Sequence, residues 1–229
     1  MMIRKDWGII VLVSADEEWN FVRDYLHPAK IFYSPFGEWF KYRYDLCHKP
    51  VEGTFFQTGC GKIPASAATQ FVIDKYNPKL IINLGTCGGF RGKVNKKDIL
   101  LVTETIIYDI YERSGQNDDM INRYRCNLDL SWIKKPYPIK VKPAIMATAD
   151  QDLNLEMMPY LYEKYGAIAA DWESGAIAYV GHKINKRKCL ILRGVSDLGD
   201  EIYEAPDKFR IRVREIMPKL LDVLPKLCV

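Results

Sequence analysis

The feature that most restricts the fold is a series of short apolar runs, each bounded by polar or glycine-rich residues and most followed by a stretch of helical periodicity. Residues 8–13, 80–84 and 189–195 are the clearest of these runs. They lack the strict alternation of a sheet with one wet face, so both faces need covering. Further strands are expected at 39–46, 54–58, 98–103, 144–148 and 168–170. Helices are expected at 16–26, 64–76, 156–165, 173–184 and 205–227, the last interrupted at Pro218 and Pro225 because proline removes a backbone donor. The pair 39–46 and 54–58 flanks His48-Lys49-Pro50 and reads as a hairpin. Strands otherwise lead into helices, the pattern of an α/β domain with a largely parallel, two-sided sheet. Residues 111–143, with three prolines and many polar side chains, have the weakest pattern and read as an irregular excursion.

Composition narrows the function classes. At 229 residues and 26.5 kDa, the chain is expected to form one domain over residues 1–229. Its net charge is only +4 and its basic residues are scattered, which argues against a nucleic-acid partner. The densest basic stretch, Lys183 to Lys188, reads as a solvated loop between a helix and a strand. No apolar run approaches the ~20 residues that cross a bilayer. The run 9–13 is too short for a secretory leader and ends in Asp16-Glu17-Glu18, so no membrane association and a cytoplasmic location are expected. Cys47, Cys60, Cys87, Cys126, Cys189 and Cys228 contain no CxxC pair and no zinc spacing, so neither disulfides nor a metal site are expected.

Ligands of open α/β sheets bind beyond the carboxyl ends of the strands. Following the runs there are Ser14-Ala15-Asp16-Glu17-Glu18, Gly85-Thr86-Cys87-Gly88-Gly89, Asp150 with Asp152, Asp171 with Glu173, and Ser196-Asp197. Acids at four of these five ends suggest a polar pocket built for acid–base work. Ser14-x-x-Glu17 has the form of a capping box, which gives Glu17 a structural task. Glu18 shares a helical face with Phe21, Val22 and Tyr25, so it is either a desolvated acid with a raised pKa or a partly exposed carboxylate favoured by the helix dipole. Glu173 has apolar helical neighbours Ala176, Ile177 and Val180, and either points inward or joins Asp171 in capping that helix. The glycine-rich segment reads as a tight turn, or as backbone that admits a sugar or anion with Thr86 adding a hydroxyl. It is neither a P-loop nor a dinucleotide fingerprint. His182 and the tryptophans read as packing or surface groups.

Three segments together resemble the nucleoside phosphorylase/nucleosidase superfamily, and within it most closely the 5'-methylthioadenosine/S-adenosylhomocysteine nucleosidases. They are Thr58-Gly59-Cys60-Gly61-Lys62 leading to Ile81–Gly89, then Ala170-Asp171-Trp172-Glu173-Ser174-Gly175-Ala176-Ile177-Ala178, and Arg193-Gly194-Val195-Ser196-Asp197. With Ser14–Glu18 added, the likeness runs from about Gly8 to the final helix. It implies a three-layer α/β sandwich around a twisted mixed sheet, a homodimer, a purine nucleoside as ligand, and no metal or organic cofactor. It further implies hydrolysis of 5'-methylthioadenosine to adenine and a free sugar in methionine and nucleoside salvage, with S-adenosylhomocysteine or 5'-deoxyadenosine as related substrates. By the same resemblance Glu18 activates the attacking water and Asp197, supported by Ser196, protonates purine N7. Glu173 grips the ribose hydroxyls, Thr86 stands near the water or phosphate, and Asp171, Trp172 and the Asp150–Leu153 segment (Asp152 and Leu153 among them) line the sugar and base pocket.

The chemistry asks for such groups. Breaking an N-glycosidic bond places positive charge on the ribose and negative charge on the leaving purine, and carboxylates and a protonated acid answer these in turn. The sequence departs from the family where an aromatic residue commonly stacks on the purine, since this region reads Asp150-Gln151-Asp152-Leu153; the usual Glu-x-Glu is Asp171-Trp172-Glu173. Phosphorolysis by the same scaffold is the nearest rival, but Asp16, Glu17 and Glu18 stand where a phosphorylase commonly carries an Arg, and would repel phosphate. A non-catalytic nucleoside-binding module is a further alternative, one that would not need Glu18, Glu173 and Asp197 together.

Overall fold

The computed structural model describes residues 8–46, 49–115, 117–135, 137, 140–199 and 206–226. Met1–Asp6, Cys47, His48 and Cys228, together with both expected ends of the last helix, lie outside the described residues. The strands are β1 (Ile9–Val13), β2 (Phe32–Ser34), β3 (Gly37–Leu46), β4 (Lys49–Gln57), β5 (Leu80–Gly89), β6 (Ile99–Ile107), β7 (Cys126–Asn127), β8 (Lys142–Thr148), β9 (Ala167–Asp171) and β10 (Lys188–Asp197). The helices are α1 (Asp16–Leu26), α2 (Lys62–Tyr76), α3 (Asn117–Tyr124), α4 (Met158–Tyr165), α5 (Ser174–Ala178) and α6 (Pro206–Val223).

One mixed sheet runs in the order β10-β6-β8-β9-β5-β1-β4-β3-β2, and β5 also pairs with β10. That extra pairing curls β5, β9, β8, β6 and β10 into a closed ring, with β1, β4, β3 and β2 as an open wing. Helices cover both faces, as the apolar runs require. Ile9, Val11 and Val13 pack with residues of α1 and α6, while Ile10 and Leu12 pack with residues of α2 and α5. A third cluster, including Phe90, Ile106, Leu153 and Leu161, lies beneath α4. The expected hairpin is present as the β3–β4 ladder, which pairs through Leu46↔Lys49.

Several local readings change. The glycine-rich segment is not a turn, because β5 continues straight through Gly85–Gly89. The excursion 111–143 contains α3 and β7, the latter paired to β6. The expected helix 173–184 is α5 followed by a π-helical turn, Tyr179–Ile184. Within the basic stretch, Lys183 Nζ donates to the Arg125 carbonyl at 2.7 Å rather than standing only in solvent. Pro218 sits inside α6 without ending it. Met217, Leu220 and Leu221 bury against the sheet beside it, and apolar burial at roughly 1.5–3 kcal/mol per large side chain outweighs the ~3 kcal/mol proline penalty.

Candidate active site

The register of β5 creates the site. β1 pairs with β5 only as far as Val13↔Leu84, and β9 takes up β5 only at Gly88 and Gly89. Between them Gly85, Thr86 and Cys87 remain paired to β10 alone, leaving one edge open at a switch in strand order. Thr86 therefore keeps a backbone N–H free of the β1 ladder. It donates to Glu18 Oε1 at 2.6 Å, and the Thr86 hydroxyl donates to the same oxygen at 2.7 Å. Glu18 is almost fully buried on α1, and burial raises its pKa against the opposing pull of Arg193 and the Thr86 donors. Of the two readings of Glu18, the desolvated acid holds.

The capping box does not. The N-cap of α1 is Ala15 with no side-chain cap bond. Ser14 is buried and accepts from Thr58 Oγ1 at 2.9 Å, while Glu17 pairs with Arg210 of α6 at 2.9 Å. The segment's local form suggested a cap, but tertiary partners claim both side chains.

Beneath the cavity lies Arg193, essentially buried. Its Nε is 2.8 Å from Asp171 Oδ2 and donates to Ser174 Oγ at 2.9 Å; its Nη2 donates to Asn83 Oδ1 at 2.8 Å and lies 3.6 Å from Glu173 Oε2. A buried guanidinium needs such partners, because an unpaired buried charge is strongly destabilising. Gly85 is required here: a Cβ on it would clash with Arg193 Nη1 and meet Glu18 Oε2 at 2.9 Å. The sequence reading assigned no role to Arg193, although a single cation inside an otherwise apolar strand was the available signal.

Glu173 and Asp171 divide the two tasks considered for them. Asp171 does the capping, accepting from the Ser174 backbone N–H at 3.2 Å and from the hydroxyls of Thr148 and Ser174. Glu173 is the N-cap residue of α5 but makes no cap bond. Its Oε1 instead accepts from the Gly61 N–H at 3.0 Å and faces Cys60 Sγ at 3.4 Å. Burial, with Asp171 nearby, pushes its pKa up to about 7 despite Arg193.

These groups surround one cavity of about 360 Å³. Glu18, Thr86, Asp171, Trp172, Glu173, Ser196, Asp197, Asp152 and Leu153 all line it, so every expected site residue is brought together. Asp150 is the exception within its segment, since it bonds the Lys62 backbone N–H at 2.7 Å and does not face the cavity. Ser196 Oγ lies 2.7 Å from Asp197 Oδ2, and Asp197 Oδ1 accepts from the Gly199 N–H at 3.0 Å. Gln151, within the expected 150–153 segment, lines the cavity too, as do Cys60, Phe209 and Arg212, which were not anticipated. Phe209 and Arg212 come from α6, whose sequence carried no local sign of a role at the site. His182 is structural, with Nδ1 2.9 Å from the Arg187 carbonyl. Among the described residues, no helix is long and apolar enough to cross a membrane.

A curled mixed sheet with acids at its carboxyl ends, closing on a cavity of nucleoside size, defines an α/β protein that acts on a small polar molecule. The chain belongs to the Phosphorylase superfamily, whose family model matches residues 9–224. It is 27% identical to a 5'-methylthioadenosine/S-adenosylhomocysteine nucleosidase of Bacillus cytotoxicus over 88% of this chain and 90% of that one. The fold is similar to that of the Campylobacter jejuni 5'-methylthioadenosine/S-adenosylhomocysteine nucleosidase, with TM-score 0.75 and 20% identity over 96% of this chain and all of that one. It is also similar to the Arabidopsis thaliana 5'-methylthioadenosine nucleosidase, with TM-score 0.74 and 22% identity over 96% and 95% of the two chains.

Proposed function

We propose that this chain is an N-glycosidic-bond hydrolase that cleaves 5'-methylthioadenosine to adenine and free 5-methylthioribose. The observation that carries this reading is the double donation of Thr86 to Glu18 in a cavity whose other walls hold Glu173 and Asp197. The two Thr86 bonds fix one Glu18 oxygen and leave the other for a water. Burial gives that carboxylate the basicity to take the water's proton as C1' is attacked, help worth roughly 10²–10⁴-fold. Glu173 accepts hydrogen bonds from the ribose hydroxyls and stabilises the cationic sugar. Asp197, oriented by Ser196 and Gly199, is the group that passes a proton to N7, so adenine leaves neutral. Asp171 holds Arg193 and the start of α5, while Asp152, Leu153 and Trp172 face the base and sugar.

Electrostatics favour water over phosphate. Asp16, Glu17 and Glu18 open α1, and Arg193 already lies 2.8 Å from Asp171 and 3.6 Å from Glu173. Beside Thr86 a phosphate dianion would face Glu18 with Arg193 engaged elsewhere, and the cation that does line the cavity, Arg212, reaches it from α6 rather than from the first βα loop. The protein acts as one domain and as a homodimer in the cytoplasm; Ile63 and Tyr111, both largely exposed, offer apolar surface to a second copy. The test is incubation with 5'-methylthioadenosine with and without phosphate, followed by identification of the sugar. Free 5-methylthioribose at equal rates is expected. A sugar 1-phosphate, or no turnover without phosphate, would overturn the reading.

A further inference from the structure

Three loops leave different strands and meet beside the cavity at a single charged cluster. Lys62, the first residue of α2, donates its backbone N–H to Asp150 Oδ1 at 2.7 Å. Its ammonium group chelates both carboxylate oxygens of Asp109, which follows β6, and lies 3.6 Å from Asp150 Oδ2. Asp109 Oδ2 in turn accepts from the Asp150 backbone N–H at 2.9 Å. None of the three side chains lines the cavity. The Lys62 and Asp109 side chains are only 18% and 19% exposed, so this is not the solvated pairing that contributes little.

What the cluster holds is more informative than what it adds to stability. Immediately before Lys62 stands Gly61, whose N–H donates to Glu173, and immediately after Asp150 come Gln151, Asp152 and Leu153 of the cavity wall. Gly59 and Gly61 both have positive φ, +83° and +93°, conformations that glycine adopts freely but also leaves freely. A Cβ on Gly61 would stand 3.1 Å from Asp150 Oδ1, so the two loops are in close contact at this point. A loop with that freedom needs an anchor if its N–H is to stay on one carboxylate oxygen, and ordering it before the ligand arrives lowers the ordering cost of binding.

We infer that Lys62, Asp109 and Asp150 form a positioning brace that keeps the Gly61 N–H on Glu173 and the 151–153 wall against the bound nucleoside. The inference deepens the nucleosidase reading and rests on it for the identity of the ligand. The brace acts through other residues and touches no reacting atom. Its signature is therefore electrostatic. Glu173 is faced by Arg193 from β10, Asp171 from β9, Glu18 from α1, and Cys60 with Gly61 from the loop before α2. Of these, Arg193 and the Gly61 N–H stabilise its ionised form, so releasing Gly61 leaves Glu173 harder to ionise.

The test compares wild type, Lys62→Met, Lys62→Arg and Asp109→Asn by steady-state kinetics against pH on 5'-methylthioadenosine, and by ¹³C NMR titration of the Glu173 carboxyl in ligand-free protein. Lys62→Met is expected to raise KM by on the order of tenfold or more, since small misplacements at a site can cost up to ~10²-fold. The acid limb of kcat/KM and the Glu173 titration should move together to higher pH, and Lys62→Arg should restore both. Asp109→Asn, which keeps size and loses one charge, should shift both in the same direction by less, and it stands in if Lys62→Met fails to fold. Unmoved titrations in the variants that fold, even with a lower melting temperature, would reduce the cluster to a structural tie and overturn the inference. If wild type releases no adenine, the nucleosidase reading fails, and the NMR titration alone still decides the brace.

Discussion

The two walls of the cavity are built on different principles. The wall proposed for the sugar, Glu18, Thr86 and Glu173 with Arg193 beneath them, is buried, with each carboxylate held by a named donor. The wall proposed for the base, Asp152, Leu153, Trp172 and Asp197, sits on loops and strand tips, and Trp172 is 37% exposed. Groups that must meet a developing charge gain from a dry, preorganised setting. Groups that select a base need only shape and a few polar contacts. On the proposed reading most of the reaction is written into the sheet, with Asp197 as the one reacting group of the outer wall, while substrate choice is written into the loops that cross the sheet's end.

The sharpest way to break that contrast is at Glu18. Glu18→Gln keeps the shape and the Thr86 acceptor but cannot take a proton, so kcat should fall by roughly 10²–10⁴-fold. Equal loss in kcat and kcat/KM, measured at saturating and limiting substrate, would mark an interaction made only in the transition state.

Asp197→Asn tests the other wall on the same scale. Adenine release should fall by roughly 10²–10⁴-fold, while a 5-methylthioriboside of 4-nitrophenolate, which leaves as an anion, should keep much of its rate. The same loss on both substrates would make Asp197 a structural residue.

Arg193→Met leaves two buried carboxylates without their cation, and chemical denaturation should show a loss of about 3–5 kcal/mol. The pH dependence has a definite sign. Glu173 has a folded-state pKa near 7, above its ordinary 4.5, so its contribution to stability is full below pH 4.5 and is lost as pH rises through 7. Glu173→Gln removes that slope, so its stability relative to wild type should improve across this window. A constant difference would show that Glu173 is not desolvated.

The smallest effect belongs to Glu17, one residue from the largest. Its partner Arg210 is 56% exposed, so Glu17→Gln should cost about 0–1 kcal/mol in denaturant titration and leave kcat unchanged. An inactive Glu17→Gln with an active Glu18→Gln would exchange their roles.

What was legible in the sequence follows the same division. The apolar runs and the face shared by Glu18, Phe21 and Val22 report burial directly, because periodicity is a local record of which side faces the core. Ser14 misled because its partner Thr58 lies 44 residues away, and a side chain that fits a local cap can equally serve a distant contact. Gly85 looked like turn chemistry, whereas its lack of a Cβ makes room for Arg193 and Glu18, which only the assembled sheet brings there. Pro218 reads as an interruption of the last helix, whereas packing of its neighbours carries α6 through it. Phe209 and Arg212 reach the cavity from the last helix, and nothing near them in sequence records that.

The most direct test of the central claim is a single-turnover reaction of 5'-methylthioadenosine in H₂¹⁸O without phosphate, followed by mass spectrometry of both products. The account predicts neutral adenine and 5-methylthioribose carrying one ¹⁸O at C1, at a rate that added phosphate does not change. Unlabelled sugar 1-phosphate formed only when phosphate is supplied would contradict it.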